Sequence, residues 1–171
     1  MRELILGGTR SGKSSYAEKV ALGGGKELLY LATATVEDAE MEQRIIHHQQ
    51  SRSSAWRVIE EPLHLAEVLQ QEARDGRTIL VECLTLWLTN LLLQEDETVL
   101  QQETELLINV IPDLPGTTLL VGNETGMGVV PADALSRKYC DEAGRLHQRL
   151  AAICERVTLV VAGLPQTLKE P

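Results

Sequence analysis

The chain has 171 residues, 43% of them hydrophobic and 24% charged, and carries a net charge of −9. That length suffices for a single domain over residues 1–171 that buries about 70% of its unfolded surface without disulfides. The acidic balance argues against a nucleic-acid or anionic-membrane partner, so an anionic ligand must be attracted by a few local cations.

In chain order, a strand over 2–6 ends in Leu4-Ile5-Leu6 and leads into Gly7-Gly8-Thr9-Arg10-Ser11-Gly12-Lys13-Ser14, with helical character over 13–22. This is a P-loop in its required setting of strand, turn and helix. Glycines let backbone N–H groups converge on a phosphate at the positive end of a helix dipole. Lys13 supplies a cation to the β and γ phosphates, and the Ser14 hydroxyl is placed to ligate Mg²⁺. The motif leaves the acceptor open, because transfer and hydrolysis use the same cradle.

Gly23-Gly24-Gly25 turns into a strand over 27–32, and a helix is expected over 38–50. The adjacent His47 and His48 point roughly 100° apart on such a helix, a poor arrangement for a shared metal. Met41, Ile45 and His48 form an apolar stripe, whereas Glu40, Arg44 and His47 form a polar one. His47 is therefore available, either as a solvated histidine or as a nucleophile towards phosphorus, with Arg44 steadying the phosphate charge.

Strands follow at 56–59 and 77–82, with a helix over 62–74 between them. Thr78-Ile79-Leu80-Val81 is a continuous apolar run of the kind buried on both faces of a sheet. It ends in Glu82, which reads either as the carboxylate that joins Ser14 around Mg²⁺ or as a water-facing strand end. A helix with a break spans 83–110, its polar stretch Gln94 to Gln102 being a helix start or a surface loop. After a strand at 117–122, Asn123-Glu124-Thr125-Gly126-Met127-Gly128 is either a loop that approaches a ligand or a turn into a helix over 132–154 that Pro131 starts. In that helix Leu135, Tyr139, Leu146, Leu150 and Ile153 are expected to face the core. His64 and His147 read as surface or packing residues, and Arg137, Arg145 and Arg149 as solvated charges or phosphate contacts. The last strand is expected at 157–162. Strands alternating with helices point to a mostly parallel sheet covered on both faces.

Cys83, Cys140 and Cys154 are far apart and form no C-x-x-C pair, which suggests reduced thiols. With no signal-peptide pattern and no apolar run near the roughly 18 residues of a membrane span, the cytoplasm is the expected compartment. The chain has no Phe and only two isolated tryptophans, Trp56 and Trp87, so it offers no stacking platform for nucleic acid.

These residues resemble the bifunctional adenosylcobinamide kinase/adenosylcobinamide-phosphate guanylyltransferases of cobalamin biosynthesis. The resemblance runs through residues 7–14, Tyr30-Leu31-Ala32-Thr33, Arg44-Ile45-Ile46-His47-His48, Trp56-Arg57, residues 80–85, Thr89-Asn90-Leu91-Leu92, residues 123–131 and Ala143-Gly144-Arg145. It implies a RecA-like P-loop NTPase fold, a homotrimer, and two reactions. In the first, ATP or GTP phosphorylates the amino-propanol hydroxyl of adenosylcobinamide. In the second, GTP guanylylates a histidine matching His47, and GMP passes to adenosylcobinamide phosphate to give adenosylcobinamide-GDP. It also implies nucleotide contacts from residues 7–14, Thr33, Ala34, Thr35, Gln50, Ser51, Arg52, Ser53, Glu60 and Glu82, with Mg²⁺ on Ser14 and Glu82. The chain departs from the family pattern at Gln50–Ser53, which lacks the usual Gly and Pro, at Gly122 and Thr125, and at His147, which stands where Asn is common. The alternatives are a small-metabolite kinase in which His47 is idle and a nucleotide-binding module without transfer chemistry.

Overall fold

The computed structural model describes residues 1–24, 27–34 and 55–171. Seven strands form one sheet: β1 (Arg2–Gly7), β2 (Glu27–Ala32), β3 (Trp56–Glu60), β4 (Arg77–Glu82), β5 (Thr117–Asn123), β6 (Arg156–Val161) and β7 (Leu164–Lys169). Their order is β3-β2-β4-β5-β1-β6-β7, parallel throughout except for β7, which pairs antiparallel to β6. The helices among the described residues are α1 (Lys13–Gly24), α2 (Leu65–Glu72), α3 (Leu84–Leu92), α4 (Thr98–Val110) and α5 (Ala134–Ile153).

Side chains of successive strand residues leave opposite faces of a sheet, so a strand covered on both sides must be apolar at every position. Leu4, Leu6, Leu29, Leu31, Ile79, Val81 and Leu120 pack on one side with Leu69 of α2, Trp87 of α3, Leu107 of α4 and Leu146 of α5. Ile5, Tyr30, Leu80, Leu119 and Val121 pack on the other with Ala17 and Ala21 of α1. The continuous apolar runs in the sequence are thus two interleaved faces, each with its own core.

Trp87 is fully buried in the larger core, and its indole N–H donates to the Leu63 carbonyl at 2.7 Å. Truncating it removes a large side chain and orphans that acceptor, so Trp87→Ala is expected to destabilise the fold by about 3–5 kcal/mol. Urea unfolding followed by far-UV circular dichroism checks this: the midpoint falls while the slope is kept.

Three expectations need correction. The chain does not stop forming sheet at β6. Ala162 and Gly163 have φ of 51° and 79°, the positive pair of a type I′ hairpin turn, and return the chain as β7. Leu164 and Leu168 of β7 remain exposed, which explains why no burial pattern announced it. Leu135 does not face the core: it is 50% exposed. A helix of 20 residues is about 30 Å long whereas a six-residue strand spans about 20 Å, so the first turn of α5 overhangs the sheet. Finally, the helix expected at 62–74 begins only at Leu65, because the Glu61 carboxylate takes the N–H groups of Leu63 and His64, both at 2.9 Å, in a turn. The expected break in 83–110 falls between α3 and α4, where Asp96 accepts from Thr98 N at 2.9 Å and opens the second helix.

Candidate active site

Parallel pairing places the C-terminal ends of β1, β2, β4 and β5 on one rim, and that rim carries the polar residues. Gly7 ends β1 where no side chain fits: a Cβ there would lie 2.4 Å from Ser11 Oγ and 2.6 Å from the Val160 carbonyl. The loop closes through Ser11 N donating to Gly8 O at 3.1 Å, and Gly12 adopts φ 94° before α1 starts. The β6–β7 turn braces it from outside, with Gly163 N donating to Ser11 O at 2.7 Å. Gly163 was missed from sequence; the signal for it was the Ala-Gly pair between two apolar runs.

Lys13, 8% exposed, directs its ammonium back across the loop to the Gly8 carbonyl at 3.3 Å. One residue further, Ser14 Oγ donates to Glu82 Oε1 at 2.8 Å, so α1 and β4 bring a hydroxyl and a carboxylate to the same point. These are all-oxygen donors beside a phosphate-shaped loop. The set suits Mg²⁺, which takes one or two protein oxygens and completes its shell with water and substrate phosphates. The donor set therefore fits the cation that the fold implies.

Behind this point the rim is tied together by hydrogen bonds. Thr33 is fully buried, and its hydroxyl accepts from Cys83 N at 2.8 Å and donates to Cys83 O at 2.7 Å, joining the ends of β2 and β4. Asn90 of α3 donates to the carbonyls of Thr33 at 2.9 Å and Pro62 at 3.1 Å. Burial, reinforced by the charge of Glu82, pushes the Cys83 thiol up and keeps it protonated. Cys83 is thereby a packing residue of the rim.

On the other side of β4 lies the loop after β5. Asn123 N donates to Thr85 Oγ1 at 2.8 Å and Glu124 N donates to the Gly7 carbonyl at 3.0 Å. The Glu124 carboxylate accepts from Gly126 N at 2.6 Å and stands 3.9 Å from His147 Nδ1 of α5. Burial holds the His147 imidazole below its usual range, with Glu124 opposing that shift only in part. Burial also pushes Tyr139 up to about 12. A Cβ on Gly122 would come within 3.1 Å of His147 Nε2, so the small residue at 122 makes room for the large one at 147. Two departures from the family pattern therefore meet in space.

A model of the family described as cobinamide kinase / cobinamide phosphate guanyltransferase matches residues 3–168. The chain belongs to this family. It is 56% identical over 169 residues to the bifunctional adenosylcobalamin biosynthesis protein CobP of Pseudomonas aeruginosa, covering 99% of this chain and 98% of that protein. With the bifunctional adenosylcobalamin biosynthesis protein CobU of Escherichia coli the identity is 38% over 182 residues, covering 99% and 100%. Among solved structures, an ATPase of a type III secretion system from pathogenic bacteria superposes with a TM-score of 0.53 at 12% identity, over 97% of this chain and 56% of that one. That likeness is one of fold, and with the sheet order it makes this a P-loop NTPase architecture.

Of the residues expected at a nucleotide site in this family, the structure gathers Gly7 to Ser14 and Glu82 into one place. Ala34 follows β2 on the same rim, half-buried. Glu60 ends β3 in register with Ala32, whose other neighbour is Glu82, so it lies on the rim but two strands from the Ser14 contact. Thr35, His47, Gln50, Ser51, Arg52 and Ser53 lie outside the described residues, as does the helix expected at 38–50. Thr85, Asn90 and His147 were not singled out as site residues from sequence, because nothing in a helical pattern tells which polar position faces a sheet rim.

Proposed function

We propose that this chain performs both reactions of its family. It phosphorylates the amino-propanol hydroxyl of adenosylcobinamide with ATP or GTP, and it transfers GMP from GTP to adenosylcobinamide phosphate, giving adenosylcobinamide-GDP. The observation that carries this reading is the match along the length of the chain to the kinase/guanyltransferase family. The meeting of Ser14 and Glu82 beside the phosphate loop supplies the chemistry.

The N–H groups of Gly8 to Ser14 cradle the triphosphate at the N-terminus of α1, and the Lys13 ammonium swings from the Gly8 carbonyl to its β and γ oxygens. Ser14 and Glu82 hold Mg²⁺, which when bound neutralises phosphate oxygens and the charge developing on the leaving group. In the kinase reaction the acceptor oxygen bonds to the γ phosphorus as the bond to the β–γ bridging oxygen breaks. In the transferase reaction an imidazole nitrogen of His47 bonds to the α phosphorus of GTP and pyrophosphate departs. An oxygen of adenosylcobinamide phosphate then displaces the histidine. Ala34, Thr35, Gln50, Ser51, Arg52, Ser53 and Glu60 complete the nucleotide site in this proposal, with Thr33 bracing the rim beneath it, because its hydroxyl is engaged by Cys83, its N–H by the Glu82 carbonyl and its own carbonyl by Asn90. The proposal further places both reactions in one domain and the protein in the cytoplasm as a homotrimer. No helix among the described residues is long and apolar enough to cross a membrane.

The test uses purified protein, adenosylcobinamide, Mg²⁺ and either ATP or GTP, with products read by mass spectrometry. A phosphate adduct with either nucleotide, converted by GTP to the GDP adduct, is the expected result. A phosphate adduct alone would reduce the proposal to a kinase, and neither adduct would overturn it.

A further inference from the structure

Accepting both reactions as proposed, the kinase step needs a group to take the proton of the acceptor hydroxyl, and none of Lys13, Ser14 or Glu82 is suited to it. Lys13 is a cation, and Ser14 and Glu82 are hydrogen-bonded to each other where they would hold the metal. The sheet order shows where such a group must come from. β5 lies between β4, which ends in Glu82, and β1, which ends in the phosphate loop. Residues leaving β5 therefore emerge between Glu82 and the phosphate loop.

Hydrogen bonds fix that placement on both sides. Asn123 N is held by Thr85, three residues beyond Glu82, and Glu124 N is held by the carbonyl of Gly7, the first residue of the loop. The Glu124 side chain is then aimed rather than free. Gly126 N fixes Oε1 at 2.6 Å, and the ring of His147 stands 3.9 Å from Oε2. His147 is 11% exposed and is kept neutral by its burial, so it backs the carboxylate without drawing it into a full ion pair. The Glu124 side chain is 21% exposed, so the carboxylate is not sealed from a substrate. Ahead of it the loop presents Met127, Val129 and Val130, which are 76%, 96% and 75% exposed, an apolar surface next to the carboxylate.

We propose that Glu124 is the general base of the kinase reaction. Its Oε2 accepts the proton of the amino-propanol hydroxyl as that oxygen bonds to the γ phosphorus and the bridging oxygen departs with the nucleoside diphosphate. The proton rests on Glu124 until the product leaves and water removes it. Guanylylation of His47 involves no acceptor hydroxyl, so it has no need of Glu124.

Glu124→Gln tests this, because the amide oxygen of Gln still accepts from Gly126 N and preserves the turn, whereas the amide takes no proton. The expected result is a fall in kcat for adenosylcobinamide phosphorylation of about 100-fold or more, with KM for the nucleotide little changed. Labelling of the protein by α-³²P GTP should proceed as in wild type. Retained phosphorylation in Glu124→Gln, or an equal fall in phosphorylation and labelling, overturns the assignment. A wild-type protein that phosphorylates no cobinamide overturns the kinase reading and this inference together, which the parallel wild-type assay makes visible.

Discussion

Lys13→Ala is expected to lower the rates of both phosphorylation and guanylyl transfer by about 10³-fold or more at saturating nucleotide. Lys13 is the cation that the loop folds around, nearly buried and reaching across the cradle to the Gly8 carbonyl. A chain with net charge −9 has little general attraction for a triphosphate, so this local charge carries much of the stabilisation of the developing negative charge. The shape of the loop does not depend on it, since Gly7 and Gly12 and the Gly163–Ser11 hydrogen bond set the backbone. Nucleotide binding should accordingly weaken less than turnover. Lys13→Met, which keeps the apolar stem, should behave like Lys13→Ala and so separate charge from packing. Initial rates of the two reactions under the same Mg²⁺ concentration decide the matter. A rate in either reaction within about tenfold of wild type would place that reaction's triphosphate at another site.

The parts of this molecule that were legible in its sequence are those where one physical requirement acts alone. A parallel strand with both faces covered has to be apolar throughout, and β1, β4 and β5 announce themselves as such runs. The phosphate loop is legible because Gly7 and Gly12 stand where a side chain cannot. What remained hidden depends on contacts between elements distant in sequence. β7 exists because a two-residue turn pairs it with β6, yet its exposed face carries no hydrophobic pattern. Leu135 fits the apolar stripe of α5 and is exposed only because the helix outruns the sheet. Thr33 looks like a loop residue after β2, but its hydroxyl is spent on the Cys83 backbone. Gly122 and His147, separate oddities in the sequence, are one packing solution. The loop from Asn123 to Gly128 could be read as a ligand loop or a turn, and what the sequence could not show is that its hydrogen bonds to Gly7 and Thr85 tie it to the rim beside the phosphate loop.

The second large effect is expected at His47. His47→Ala should abolish the acid-labile label that α-³²P GTP leaves on the protein, and with it formation of adenosylcobinamide-GDP, while phosphorylation of adenosylcobinamide continues. A phosphoramidate needs an imidazole nitrogen with a free lone pair. Two of the four histidines are poorly suited to supply one. His64 is committed through Nδ1 to Glu103 at 2.8 Å, a hydrogen bond that raises its pKa, and it follows β3, the edge strand four places from β1 and its phosphate loop. His147 is held neutral by burial, and its side chain, 11% exposed, is packed against the Glu124 loop rather than open to solvent. His47 and His48 remain, and on the helix expected from the sequence over 38–50 His48 would fall in the apolar stripe with Met41 and Ile45 and His47 beside Arg44. Phosphorylation should survive because it draws on Lys13, Ser14, Glu82 and the β5 loop, none of which belongs to that stripe. Denaturing electrophoresis of labelled wild type, His47→Ala and His48→Ala, followed by an acid wash and a parallel kinase assay, separates the outcomes. Label persisting in His47→Ala moves the nucleophile to another residue. Loss of phosphorylation in a folded, GTP-binding His47→Ala protein would instead mean that the two reactions share the histidine, and the division of labour between the phosphate loop and the imidazole would have to be abandoned.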